Sequence, residues 1–294
     1  MIEYKQGLEF EGDITRKGNF SMPTTYTHYR FGKDVMHPLP QPLQQSIEAH
    51  RELFDIGLHG PDILFYYRFF QKNHVNQQGF QLHDLYADAF FEHAVQVIEQ
   101  AEHKGAARSY IYGVICHFAL DSECHKYVEK MIQVSGISHS EIEMEFDRLL
   151  LTEDYINPVT YYGTKHIHPT RQNAEVIAPF YENISPEELK KSLTWMNWVH
   201  KGLLAPKKFK RSLLFGVMKL IGMYDTGKGM VMSLEPNPAC ETYCRVLKRQ
   251  YAGAVPLAVG LILNYQKVLF QNEKLPERFH ETFGAGENWE SLPL

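Results

Sequence analysis

Tyr112-Gly-Val-Ile-Cys-His117-Phe-Ala-Leu-Asp121-Ser-Glu-Cys-His125 places three metal-ligand side chains four residues apart each time. On an α-helix a step of four advances about 40° around the axis, so His117, Asp121 and His125 fall on one stripe. The stripe runs through an otherwise apolar segment containing Tyr110, Ile111, Val114, Ile115, Phe118 and Leu120. Burying two imidazoles and a carboxylate costs several kcal/mol unless something compensates them, and a bound cation compensates all three at once. Shortly downstream comes Ser138-His139-Ser140-Glu141-Ile142-Glu143. Ser138 with Glu141 has the form of a capping box, which predicts a helix start at His139 and puts His139 and Glu143 on one face. A single His-x3-Asp pair on a helix is ordinarily a surface or capping pair. Two such pairs with a third residue in register, the first in apolar surroundings, form the layout of an oxygen- and nitrogen-rich multi-metal site.

The 294 residues allow one large domain or two small ones. Hydrophobic content of 44% and charged content of 22% are those of an ordinary globular protein. A net charge of -5 gives no electrostatic reason to expect nucleic acid as a specific partner. Cys116 and Cys124 stand two helical turns apart, and Cys240 and Cys244 one turn. Neither pair has zinc-finger spacing, so buried, reduced thiols are expected. The N-terminal residues carry no apolar signal-like core. The longest apolar stretch, Ala252 to Leu263, contains Gly and Pro and is too short to span a bilayer. A cytoplasmic, soluble protein is expected.

Helical periodicity dominates, and an all-α fold follows. Helices are predicted at Thr25–Met36, Leu43–Phe54, Asp84–His103, Ala106–Gln133, His139–Leu150, Pro186–Leu204, Lys207–Met223 and Ala239–Leu269, with Pro256 kinking or splitting the last. Pro38 to Pro40, Gly57 to Pro61, Asn76 to Gly79 and Tyr161 to Pro169 read as loops. Residues 1–21 are polar and without period. They read as an N-terminal extension, with Met22 as the candidate physiological start, because Arg16-Lys-Gly-Asn19 can be encoded by a purine-rich run similar to a bacterial ribosome-binding site. The expected division is a metal-binding catalytic half, 22–150, and a helical half, 151–294, packed on it within one domain.

The order of these residues resembles the zinc-dependent phospholipase C family, which shares an all-helical metal-site fold with P1-type nucleases. His28 stands in Thr27-His28-Tyr29-Arg30-Phe31-Gly32, Asp62 in Gly60-Pro61-Asp62-Ile63-Leu64-Phe65-Tyr66, and His83 after Gly79-Phe80-Gln81-Leu82. His117, Asp121, His125, His139 and Glu143 complete the pattern over residues 22–150, and the strings are most similar to those of cytoplasmic bacterial members. The resemblance implies a multihelical bundle with a cluster of two to three zinc ions. The first would take Asp62, His83, His117 and Asp121, the second His125, His139 and Glu143, and the third His28 with Asp121 as a bridge. It also implies a metal-activated water attacking a phosphodiester, with Asp62 as ligand and proton acceptor. Two departures stand out. Secreted members complete the third site with an N-terminal Trp that this chain lacks, and they separate the residues matching Asp121 and His125 more widely.

Other residues have plainer readings. His83-Asp84 is also the dipeptide of HD-domain phosphohydrolases, but that leaves His125, His139 and Glu143 unexplained. His59, His74, His93 and His103 read as solvated, and His166-Ile-His168 as a surface loop or, less simply, a lid. Tyr66 and Tyr67 are candidate substrate-binding rings. Residues 207–223 start basic and become apolar. A packed helix with a basic first turn is the simpler reading, and transient contact with an anionic membrane surface is the other. The function implied is a zinc-dependent phosphoester hydrolase of phospholipase C type, acting on membrane phospholipids or soluble phosphodiesters. A nuclease and a non-catalytic zinc-binding protein are the alternatives.

Overall fold

The computed structural model describes residues 25–294; the extension 1–21 and the candidate start at Met22 lie outside the described residues. Among the described residues twelve α-helices follow one another: α1 (Tyr26–Met36), α2 (Gln41–Glu48), α3 (Arg51–Gly57), α4 (His74–Asp84), α5 (Asp88–Gln100), α6 (Lys104–Ser135), α7 (His139–Glu153), α8 (Arg171–Ile177), α9 (Pro186–Leu203), α10 (Lys208–Leu220), α11 (Tyr224–Gly227) and α12 (Glu241–Gln271). A 3₁₀ turn, Gly60–Tyr66, links α3 to the α4 region. Among the described residues there is no strand, only an isolated antiparallel bridge between Tyr86 and Thr282, so the all-α expectation holds.

The 32-residue α6 is the axis of the fold, with α1, α3, α5, α7 and α12 packed around it. Its apolar run is buried on every side from Tyr110 to Leu120, which is why hydrophobic periodicity there is weak and the metal-type residues stand out. Gly57 of α3 and Gly113 of α6 let the two backbones touch. A Cβ on Gly57 would collide with the Tyr110 carbonyl, and one on Gly113 with the Phe54 carbonyl. Gly136, in the left-handed region at φ 70°, ends α6. Ser138 then caps α7, accepting from the Glu141 N–H at 3.3 Å. The reciprocal half of the expected capping box is not made, because the Glu141 carboxylate accepts instead from Asn237 Nδ2 at 2.8 Å.

Several expectations are corrected. Leu43–Phe54 is two helices, α2 and α3, broken where His50 leaves helical geometry (φ -131°, ψ 39°). Asn76 to Gly79 is no loop but the first turns of α4. Asn73 caps that helix, and the Asn76 side chain returns the bond to the Asn73 N–H at 3.0 Å. α4 therefore ends at Asp84, with His83 in its last turn, and the helix expected to begin at Asp84 starts four residues later as α5. Pro256 neither splits nor ends α12. Pro256 and Ala252 are both on the exposed face of the helix, where a carbonyl that loses its N–H partner is not cut off from solvent. The stretch Pro238–Gln271 is long and apolar enough to cross a membrane by length and composition. One of its faces is nevertheless core, with Leu247, Tyr251, Ala254, Ala258, Ile262 and Tyr265 buried against α6, α1 and α7. All four cysteines are buried and unpaired.

Candidate metal centre

His117, Asp121 and His125 line one stripe of α6, and each neighbouring element adds to it. The start of α1 brings His28, the 3₁₀ turn Asp62, the end of α4 His83, and the first turns of α7 His139 and Glu143. Asp121 is the hub. Its Oδ2 lies 3.0 Å from His117 Nε2 and 3.8 Å from His125 Nε2, and its Oδ1 lies 3.4 Å from His28 Nε2. Asp62 places Oδ1 2.9 Å from His83 Nε2 and Oδ2 3.8 Å from His117 Nε2. Glu143 Oε1 faces His139 Nε2 at 3.0 Å and His125 Nε2 at 3.4 Å.

The outer nitrogens explain why the inner ones converge. His83 Nδ1–H donates to the Gly79 carbonyl at 2.8 Å, His117 Nδ1–H to the Leu58 carbonyl at 3.2 Å, and His125 Nδ1–H to the Phe283 carbonyl at 2.9 Å. A carbonyl can only accept, so Nδ1 is the donor in each of the three and Nε2 is the nitrogen turned inward. His139 Nδ1 faces the Glu129 carboxylate at 3.6 Å. Gly60, at φ +46°, makes room for this arrangement, since a Cβ there would overlap the His117 ring. Asp147 fixes the start of α1, and with it His28, by accepting from the Thr27 N–H at 2.8 Å and the Tyr26 N–H at 3.2 Å.

The electrostatics are those of carboxylates and imidazoles packed together out of water. Burial opposes the charge on Asp121, but His117, His125 and His28 outweigh it and hold the carboxyl well below the usual range. Burial lowers His28 to about 4 despite Asp121, so this imidazole is neutral with its lone pair free. Burial also opposes protonation of His125 and His139, yet the surrounding carboxylates raise them to about 9 and about 10. Glu143 is pulled down to about 2 because His139 and His125 overcome its burial. His28 Nδ1, His117 Nε2 and Glu143 Oε2 are buried and make no hydrogen bond. His117 Nε2 is close to Asp121 without hydrogen-bond alignment, as expected where a third atom belongs between donors. Nitrogen and carboxylate donors of this mix suit zinc.

Two groups have donor atoms close enough to share an ion: His28, Asp62, His117 and Asp121, and separately His125, His139 and Glu143. The second is the trio expected for one zinc. In the first, His28 occupies the place expected of His83, and His83 reaches the group through Asp62. Above both lies an open cleft of about 1020 Å³, bordered by His28, Asp62, His83, Asp121, His125, His139 and Glu143, while His117 is beneath its floor.

Tyr66 and Tyr67 are not on this cleft. Both are buried, and the Tyr66 hydroxyl pairs with His200 Nε2 at 2.9 Å. The rings that do line it are Phe65, Phe80, Tyr86 and Trp289. His59 is not solvated and His166 is not on the surface. Both are buried, with their Nε2 atoms 2.8 Å apart, and burial keeps both pKa values low. Their rings stack behind His28, with the His59 centroid 6.3 Å from it.

Sequence reasoning missed the segment 279–289. Phe283 is buried among Phe90, Phe91 and Phe118, its carbonyl holds His125, and the Gly284 N–H donates to the His83 carbonyl at 3.0 Å. Phe279 and Phe283, one helical turn apart in an otherwise polar stretch, are the faint signal it left. No curated protein and no solved structure matches the chain. A family model does match, over residues 27–195, from the first turn of α1 into α9, and through every side chain of the two donor groups. On that match the chain belongs to the zinc-dependent phospholipase C family.

Proposed function

We propose that this protein is a zinc-dependent phosphodiester hydrolase of phospholipase C type, holding two to three zinc ions through His28, Asp62, His83, His117, Asp121, His125, His139 and Glu143. The observation that carries the reading is the orientation of the histidines. Three Nδ1–H groups are tied to backbone carbonyls, so their Nε2 atoms converge on Asp62, Asp121 and Glu143 at the base of an open cleft. A non-catalytic zinc protein needs no such opening.

Zinc bound here would neutralise a phosphodiester's charge and bring the pKa of an attacking water to about 7. The remaining work belongs to the chain. Asp121, reaching three imidazoles, is the carboxylate placed to bridge. Asp62 opens on the cleft with one oxygen held by His83, and is assigned to accept the proton released by the attacking water. His117, sealed under the floor, presents Nε2 to Asp121 at 3.0 Å and to Asp62 at 3.8 Å and would be a donor of the same group. Phe65, Phe80, Tyr86 and Trp289 give the cleft apolar walls for the organic part of the substrate. Glu129, Glu281 and Glu287 on its border disfavour a polyanionic strand, which weighs against the nuclease reading even though the rings could stack bases.

Elemental analysis with a panel of phospholipids, soluble phosphodiesters and single-stranded DNA tests this. Zinc-dependent release of diacylglycerol or of an alcohol from a phosphodiester is expected. Bound zinc without turnover of any ester would leave a structural zinc protein, and preferential cleavage of DNA would leave a nuclease.

A further inference from the structure

Helix α10 carries two apolar faces, and only one is packed. Met218 is buried in a small satellite core with Ala205 and Val231, where Leu214, Phe215 and Tyr224 pack against it. On the far side Phe209 is 82% exposed, Leu213 60%, Val217 47% and Leu220 86%. Their spacing of four, four and three residues puts them on one stripe. Ile221, 54% exposed, extends it past the helix end. A contiguous exposed stripe of large apolar residues marks a contact surface.

Charge identifies what it contacts. Residues 207–223 contain Lys207, Lys208, Lys210, Arg211 and Lys219 and no Asp or Glu, in a chain whose net charge is -5. On the helical wheel Lys210 lies on one side of the stripe and Lys208 and Lys219 on the other. The Lys210 ammonium is turned back onto the Lys201 and Leu204 carbonyls, while Lys208 and Lys219 stay exposed beside the stripe. A second copy of the chain would bring Lys208 and Lys219 against each other, whereas an anionic surface would meet both.

We propose that α10 docks the protein on an anionic phospholipid surface, with Phe209, Leu213, Val217 and Leu220 entering the interface and the flanking lysines meeting the headgroups. The docked helix is tied to the metal centre. Arg211 donates to the Met232 carbonyl, Gly229 lies against Ser138, and Asn237 holds Glu141. Ser138 is the residue before His139, so the segment between α10 and α12 buttresses the end of α7 that carries His139 and Glu143.

Binding is read without turnover, by sedimenting the full chain with phosphatidylglycerol-rich or pure phosphatidylcholine vesicles. A soluble phosphodiester reports activity separately, so loss of docking and loss of the hydrolase reading are distinguishable. Binding to the anionic vesicles is expected to weaken with salt and to fall about tenfold or more in Phe209→Ser/Leu213→Ser and in Lys208→Glu/Lys219→Glu. Melting temperature and soluble-diester turnover should be unchanged in both. Equal binding by these folded variants, equal salt-independent binding to neutral vesicles, or a salt-stable dimer of the native chain that ignores vesicles would each overturn the proposal.

Discussion

Asp121→Asn removes one negative charge and little else, and three imidazoles register the loss. The carboxylate's two oxygens lie 3.4 Å from His28, 3.0 Å from His117 and 3.8 Å from His125, so one side chain serves both donor groups. A four-ligand zinc site is worth about 10–16 kcal/mol at neutral pH, so each ligand carries roughly 2.5–4 kcal/mol. Losing one weakens a site by about 10²–10³-fold. Asparagine offers one neutral oxygen, so the loss should fall on more than one ion. The assay is zinc content by elemental analysis after dialysis, together with competition against a chromophoric chelator. The variant should retain at least one equivalent less than the native protein and give up the remainder more readily. If its zinc content and competition curve match the native protein's, with the fold intact, Asp121 does not bridge.

The metal-free protein should lose stability as pH rises. His125 and His139 have folded pKa values of about 9 and about 10, above the ordinary 6.5, so their contribution is full below 6.5 and disappears as pH climbs through 9 and 10. The zinc-loaded protein should instead lose metal as pH falls, because the imidazoles must be deprotonated to bind. Thermal melts of both forms across this range should slope oppositely, and a flat profile for the stripped form would contradict the ion-pair account. Phe283→Ala should cost about 3–5 kcal/mol in chemical denaturation and also weaken zinc binding; zinc affinity unchanged in the folded variant would mean the Phe283 carbonyl does not position His125. Gly60→Ala should cost about 1–3 kcal/mol from its φ of +46° and push on the His117 ring, lowering zinc retention in the same competition assay.

The stripe on α6 was legible because one helix carries it: spacing alone places His117, Asp121 and His125 together, and burial of the surrounding residues follows from their apolarity. The His139–Glu143 pair was legible for the same reason. His83 was harder. Asn76 and Gly79 resemble loop punctuation, and only the Asn73 cap, with Gly79 giving space to the Phe65 ring, makes that segment helical. The burial of His59 and His166 depends on partners 107 residues apart, which no local pattern reports. The orientation of His125 depends on a main-chain carbonyl, an atom every residue type possesses. Tyr66 and Tyr67 follow Asp62 closely in sequence, but the 3₁₀ turn directs them into the core rather than the cleft.

The segment 279–289 has a consequence for dissecting this protein into working pieces. A fragment cut at the family's matched boundaries, 27–195, would keep every donor side chain. It would lose the carbonyl that orients His125, the amide that holds His83, and the ring that fills the space between Phe91 and Phe118. The inventory of ligands and the unit able to assemble them are therefore different lengths of chain. Deleting residues 279–289 would weaken the centre without touching a single ligand, and a fusion or truncation design needs that segment as much as the histidines themselves.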